Sequence, residues 1–339
     1  MSHAKHPTVL KFEGLITEMD RIIVEYPLMK RMTLLCLIAD GHLLLESVPG
    51  LGKTLTVDAL TGAVENSSSH AFQMTPDMKP GDILGGLVFN PQTGLFEVRK
   101  GPIIGKNFVI ADEINRTTPK TLSALLRAMQ ERYVVIGDEL FELEEPFLVL
   151  ATQNPIEQEG TFPLPEALLD RFAVKIRMTY IGKKSEIELL RRVQIHGRKA
   201  KDMVKKVITK ADILEARAGV ADVATNTTDA IREYIVDLTR ATRPEDSSFS
   251  KILDANGKPF NDVIQVGASP RCEIWTLHMA AAQAFLSGRT HIIPDDVKFV
   301  FPHALRHRIV PSQRARLGAF DLEAYLTTVM DQVKVISDK

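Results

Sequence analysis

The sequence predicts an α/β fold, a parallel sheet with crossover helices in three layers, followed by a smaller all-helical domain. Three observations predict it. Between residues 43 and 182 an apolar strand, a turn and a polar–apolar helix recur: LLLES then KTLTVDAL, NFVIADE then PKTLSALLRAMQER, FLVLATQN then PEALLDRF. After Tyr180 the strand signal fades and 3.6-residue periodicity takes over, in SEIELLRRVQ, TKADILEARAGVADV, TTDAIREYIVDLTRATR, SPRCEIWTLHMAAAQAFLSG and AFDLEAYLTTVMDQVKV. The 339 residues also exceed one ordinary core and suit two domains of about 100–200 residues each. The boundary is placed near Gly182, giving residues 1–182 and 183–339.

In chain order, the clusters Ile22, Ile23, Leu28, Met32, Leu35 and Leu37 predict two helices before the first strand, HLLLES. Two segments interrupt the strand–helix repeat with turn residues between β-rich arms: LVFNPQTGLFEVRKG, turning at Gln92 to Gly94, and YVVIGDELFEL, turning at Gly137-Asp138. Each reads as an inserted β-hairpin. Residues 244–266, rich in Pro, Ser and Asp and holding Asn256-Gly257, read as an exposed insertion in the helical domain.

Bulk properties exclude several classes. A formal charge of -1 leaves no chain-wide field to attract nucleic acid or anionic lipid. No apolar run approaches the roughly 20 residues of a membrane span, and MSHAKHPTVL lacks a signal-peptide core, so a cytoplasmic protein is expected. Cys36 and Cys272 have no CxxC spacing and lie in apolar helical patterns, as buried free thiols do.

The sharpest local signal is ESVPGLGKTLTVDAL at 46–60, a strand, a glycine-rich turn and a helix opening on Gly52-Lys53-Thr54. Such a turn wraps phosphates with backbone N–H groups and aims a helix N-terminus at them. Pro49, Gly50, Leu51, Gly52, Lys53, Thr54 and Leu55 are the expected nucleotide-binding residues, with Lys53 on the β/γ-phosphates and Thr54 on Mg²⁺. Ser47 stands where the strict pattern has glycine; if that position is left-handed, serine costs about 1–2 kcal/mol. NFVIADE ends a strand in two carboxylates. Asp112 is the expected Mg²⁺ residue and Glu113 the general base that polarises the attacking water, a surface Asp-Glu pair being the plain alternative. ATQN at 151–154 closes a further strand, and Asn154 is expected to orient that water or sense the γ-phosphate.

Two arginines complete the expected catalytic set. In GASPRCEIW, Ser269 reads as N-cap and Pro270 as first helical residue, which puts Arg271 in the first turn, where its charge opposes the helix dipole. An ATP phosphate would repair that mismatch. Arg171 ends PEALLDR just after the Asn154 strand and suits an arginine finger reaching a neighbouring subunit's γ-phosphate; a salt bridge to Asp170 or Glu166 is its alternative.

With these residues in place, the chain resembles the MoxR family of AAA+ ATPases over nearly its whole length. LLLESVPGLGKT is similar to the family's Walker A, FVIADEINRTTPKTLSALLRAMQER to its Walker B, ATQNPIEQEGTFPLPEALLDRF to its sensor 1 and arginine-finger block, and GASPR to its sensor 2. The resemblance implies an AAA+ domain with inserted hairpins and a helical lid, ATP and Mg²⁺ as cofactors, and a homo-oligomer, a hexameric ring. It further implies a chaperone-like remodeller working on client proteins, often with a von Willebrand factor A domain partner. Val24-Glu25-Tyr26 stands where such proteins often have Val-Gly-Gln.

Other features are weaker. His303 and His307, one helical turn apart, match metal spacing but lack a carboxylate motif, and packing explains them. The basic stretch from Arg191 to Lys206 lacks interleaved aromatics, so it reads as a solvated face or subunit contact. Against the ATP-driven remodeller stand an ATP-gated scaffold with little turnover and a nucleic-acid-linked motor, the latter disfavoured by the near-zero charge.

Overall fold

The computed structural model describes residues 7–48, 51–155, 164, 166–196, 202–254, 257, 259–260, 263–318 and 320–335. Contacts divide the chain into two compact units: Leu10–Arg171 with Ile176–Glu215, and Met1–Val9 with Phe172–Lys175 and Ala216–Lys339. The first extends beyond Gly182, where the sequence reading placed the boundary. It takes in the helix Lys183–His196, which continues straight from the sheet unit's last strand.

The central sheet has five strands among the described residues: Leu43–Ser47 (β1), Ser69–Gln73 (β2), Phe108–Asp112 (β3), Leu148–Gln153 (β4) and Val174–Met178 (β5). Their order is β5-β1-β4-β3-β2. β1 pairs with β4, β4 with β3 and β3 with β2, all parallel. Strands β1, β3 and β4 are apolar and buried almost throughout, as strands covered on both faces must be. Parallel register brings every carboxyl end to one edge: Glu46 lies opposite Gln153, and Gln73 opposite Asp112. That edge is where ligands bind in open α/β sheets.

Two strands were not expected. β2 reads Ser-His-Ala-Phe-Gln and is half exposed at the sheet's margin, so it carries too little apolar signal. β5 alternates Val, Lys, Ile, Arg, Met inside a segment expected to lead into helices. The hairpins form as expected, Gly85–Asn90 with Leu95–Lys100 and Tyr133–Ile136 with Glu139–Glu142. Gly85 is obligatory: its φ is 95° and a Cβ would stand 2.3 Å from the Arg99 carbonyl oxygen. The first hairpin exposes a cross-strand aromatic pair, Phe89 on Phe96, with ring centroids 5.5 Å apart.

The second unit is built of the helices Asp229–Arg240, Pro270–Leu286, Pro294–Leu305 and Leu322–Gln332, around buried Tyr234, Met279, Phe301 and Tyr325. Pro294–Leu305 was missed because Pro302 breaks its pattern. Its start was legible, with Pro294 at the first turn and Asp296 accepting from the Ile293 N–H at 3.0 Å. The segment 244–266 is less exposed than expected. Phe249, Ile252 and Ile264 are buried, and Leu253 exchanges two hydrogen bonds with the Gln332 side chain. Asn256 lies outside the described residues.

Candidate functional site

At its carboxyl end β1 leads into the glycine-rich turn. Ser47 is the strand's last residue and is not among the left-handed residues, so the backbone cost expected for serine does not arise. It is 1% exposed, and its hydroxyl has no hydrogen-bond partner among the described residues. Pro49 and Gly50 lie outside the described residues. Gly52 is left-handed (φ 75°) and precedes the helix Lys53–Ala63 without any side-chain cap, and no acid occupies the first turn. The helix therefore keeps its orphan N–H groups and positive dipole end for an anion. Thr54 is exposed beside them. At the other end Lys206, from the basic stretch, donates to the Thr61 and Val64 carbonyls at 2.7 and 2.9 Å, a cation where the dipole favours one.

Around the Lys53 ammonium the acids are ordered by one buried hydroxyl. Lys53 Nζ lies 3.3 Å from Asp112 Oδ1, and Thr152 Oγ1 donates to the same oxygen. Thr152, fully buried on β4, also accepts from the Glu113 N–H at 2.9 Å. One hydroxyl thus fixes both carboxylate residues. Glu113 takes a left-handed backbone (φ 56°, ψ 52°), uncommon for a non-glycine residue, where β3 turns into the short helix Ile114–Arg116. Its Oε2 accepts from Gln73 Nε2 at 2.7 Å and from Arg116 Nη1 at 3.0 Å.

Next to the turn a cavity of about 320 Å³ is lined by Ile22, Ile23, Val24, Tyr26, Leu51 and Leu55 among others, all within the first unit. Glu25 and Tyr26 both have positive φ (64° and 55°). This explains why glycine suits position 25 and why glutamate there carries strain. Tyr26 Oη donates to the Thr179 carbonyl at 2.9 Å. Burial, then the Glu25 carboxylate, raises the pKa of the Tyr26 phenol.

Comparison with known proteins agrees with this geometry. The family described as ATPase family associated with various cellular activities (AAA) matches residues 42–174, and an AAA lid domain matches residues 261–322. Chaperone MoxR1 of Mycobacterium tuberculosis is 37% identical over 95% of this chain and 81% of its own. The Bacillus subtilis protein YeaC is 39% identical over 94% of this chain and 93% of its own. A solved structure of a candidate ATPase from Cytophaga hutchinsonii superimposes with a TM-score of 0.85 at 38% identity, over 97% of this chain and 96% of that one. The chain belongs to the MoxR family of AAA+ ATPases.

In this MoxR-family chain the residues present fit a nucleotide and a divalent cation. The uncapped helix start and Lys53 suit phosphates, Asp112 and Thr54 offer oxygen donors, and the apolar cavity suits a base. Lys53, Asp112 and Glu113 are brought together through Thr152. Asn154 follows β4 at the same edge, nine-tenths buried, and its backbone carbonyl accepts from Asn115 Nδ2 at 3.3 Å. Arg171 follows the short helix Glu166–Leu169, and its Nε is buried without a hydrogen bond among the described residues. Arg271 stands exposed in the first turn of Pro270–Leu286, behind Ser269 and Pro270 as expected, in the second unit. The sequence reading missed Gln73, Arg116 and Thr152. Thr152 lies inside the quoted ATQN, and the strand period would have turned it opposite to its neighbours; nothing in the sequence marks Gln73.

Among the described residues no group of three or more histidine, cysteine or carboxylate side chains is placed to hold a metal, and both cysteines are free and buried. No described helix is long and apolar enough to cross a membrane.

Proposed function

We propose that this chain hydrolyses ATP with Mg²⁺ in the cytoplasm, between the subunits of a hexameric ring, and that nucleotide turnover drives chaperone-like remodelling of client proteins, with a von Willebrand factor A domain protein as partner. The observation that carries the catalytic part is the linked set Lys53, Asp112, Thr152 and Glu113 at the sheet's carboxyl edge. The remodelling part rests on the name of the Mycobacterium tuberculosis relative.

In this reading Lys53 and the first-turn amides hold the β/γ-phosphates, and Thr54 and Asp112 hold the cation. A divalent cation held there would supply charge neutralisation for the phosphates. Thr152 holds the Asp112 carboxylate and the Glu113 backbone through one hydroxyl, which keeps the two residues in fixed relation. Glu113 takes the proton of the attacking water, once an oxygen is released from Gln73 and Arg116. Asn154 orients the same water, Arg271 is assigned a phosphate contact, and Arg171 serves the γ-phosphate of the next subunit.

One observation favours the rival reading of an ATP-gated scaffold: Glu113 Oε2 is engaged by two donors at once. Binding of a fluorescent ATP analogue and phosphate release, measured with and without Mg²⁺ on the wild type and Lys53→Ala, separate the readings. A catalyst binds and turns over with Mg²⁺, and Lys53→Ala loses at least about tenfold in affinity, the ~1.4 kcal/mol of one charged contact. Tight binding without turnover in the assembled protein supports the scaffold, and unchanged binding by Lys53→Ala overturns both.

A further inference from the structure

Three consecutive residues at the end of Pro294–Leu305 are buried, although two are arginines and one is a histidine: Arg306, His307 and Arg308 are all less than a tenth exposed. Buried arginine is costly unless every donor is satisfied, so the partners show what the burial is for. Arg308 Nη2 donates to the Phe172 carbonyl at 2.6 Å, and Nη1 to Ala173 O at 3.2 Å and to Ala304 O in the preceding helix. His307 Nε2 donates to the same Phe172 carbonyl at 3.0 Å. Arg306 Nη1 donates to Lys175 O at 2.8 Å while Nε and Nη2 form a two-pronged pair with Glu323, at 2.6 and 2.7 Å.

The three side chains therefore grip three carbonyls within one four-residue segment, Phe172–Lys175, which the contacts group with the helical unit although the chain on either side belongs to the sheet unit. That segment begins one peptide bond after Arg171. Ordinary core packing of Phe172 and Val174, both fully buried, needs no such set of donors. A Phe172 carbonyl held by two donors fixes the peptide between Phe172 and Ala173, so the chain is anchored one residue beyond Arg171 and only the φ and ψ of Phe172 separate that anchor from the peptide leaving Arg171. The Arg171 Nε is buried without a hydrogen bond among the described residues.

We propose that Arg308, together with His307, is a positioning residue for Arg171: by holding the Phe172 carbonyl from the helical unit it determines whether Arg171 is presented to a neighbouring subunit. The proposal rests on the reading of Arg171 as a residue acting in trans. Arg308 touches no nucleotide in this account. It acts through the backbone of Phe172.

Subunit mixing tests it. Glu113→Gln subunits are silent at their own site but offer an intact Arg171, whereas a subunit defective only in presenting Arg171 keeps a working site. Mixtures of Arg308→Met with Glu113→Gln, formed by co-expression, are compared with mixtures of Arg171→Ala and Glu113→Gln, and with each variant alone. Alone, Arg308→Met is expected to bind ATP within about twofold of wild type and to lose at least about tenfold in turnover, a lower bound on what an arginine finger contributes. Its mixture with Glu113→Gln recovers turnover as the Arg171→Ala mixture does. A merely structural role would not give that recovery. Recovery with Arg171→Ala but not with Arg308→Met overturns the positioning role and leaves the trans arginine standing. Recovery with neither overturns both. If Arg308→Met does not fold, Arg308→Lys, which keeps the charge and loses the two-carbonyl fork, enters the same mixtures with the same expectations.

Discussion

The sheet's carboxyl edge and the end of the helix Pro294–Leu305 both gather charge, and they hold it in opposite ways. At the edge, Lys53, Asp112 and Glu113 are partly exposed and bonded mainly to other side chains: a 3.3 Å ion pair, an amide, one guanidinium. At the helix end, Arg306, His307 and Arg308 are buried and bonded mainly to main-chain carbonyls. Side-chain partners swing away through a rotamer change, while a carbonyl moves only with its backbone. The first arrangement suits charges that must be exchanged during a reaction, the second charges that are spent on fixing the chain.

The comparison breaks first at Glu113. If its bonds are exchangeable and its role is that of a base, Glu113→Gln lowers steady-state phosphate release by about 10²–10⁴-fold while ATP affinity stays near wild type. Unchanged turnover would remove Glu113 from the chemistry. Thr152→Val probes the hydroxyl that joins the two acids. It leaves the Glu113 N–H without its acceptor and is expected to cost about 1–3 kcal/mol in urea unfolding, together with a fall in turnover. Full stability with full turnover would make Thr152 a bystander.

A smaller effect sharpens the other side. Burial first, then the Arg308, Lys175 and Arg306 charges, hold the His307 pKa well below its ordinary value, against the bond to Phe172 O, which raises it. Burial and Arg306 likewise bring His303 down to about 4. Both are neutral when folded, whereas the unfolded chain takes up their protons below its pKa of about 6.5. Stability therefore falls as pH drops below about 6.5, by about 1.4 kcal/mol per pH unit for each histidine, and for His303 the loss continues to about pH 4. Urea titrations at pH 7.5 and 5.5 should show His307→Gln losing less stability on acidification than the wild type. An equal loss would mean that His307 is not held neutral.

How much of this the sequence disclosed depended on whether the information was local. Strands β1, β3 and β4 are continuous apolar runs because both faces are covered, and the glycine-rich turn with Lys53 and the Asp112-Glu113 pair are contiguous motifs. All of these were legible. Gln73 and Thr152 lie 40 and 39 residues from Glu113 and meet it only through the parallel register of β2, β3 and β4, which no local pattern encodes. Arg116 is only three residues from Glu113, yet facing it requires the turn after β3, which begins with Glu113 itself in a left-handed backbone. At Ser47 the cost was conditional on a left-handed backbone, and the condition is decided by the strand, in which Ser47 is the last residue.

The central claim, a shared and cation-dependent ATPase site, is tested most directly by steady-state ATP hydrolysis against protein concentration, for wild type and Arg171→Ala, each with and without Mg²⁺. The account predicts that turnover per subunit rises as the protein assembles, requires Mg²⁺, and falls by at least about tenfold in Arg171→Ala with ATP binding retained. Turnover that stays flat and negligible at every concentration, with ATP demonstrably bound, would contradict it.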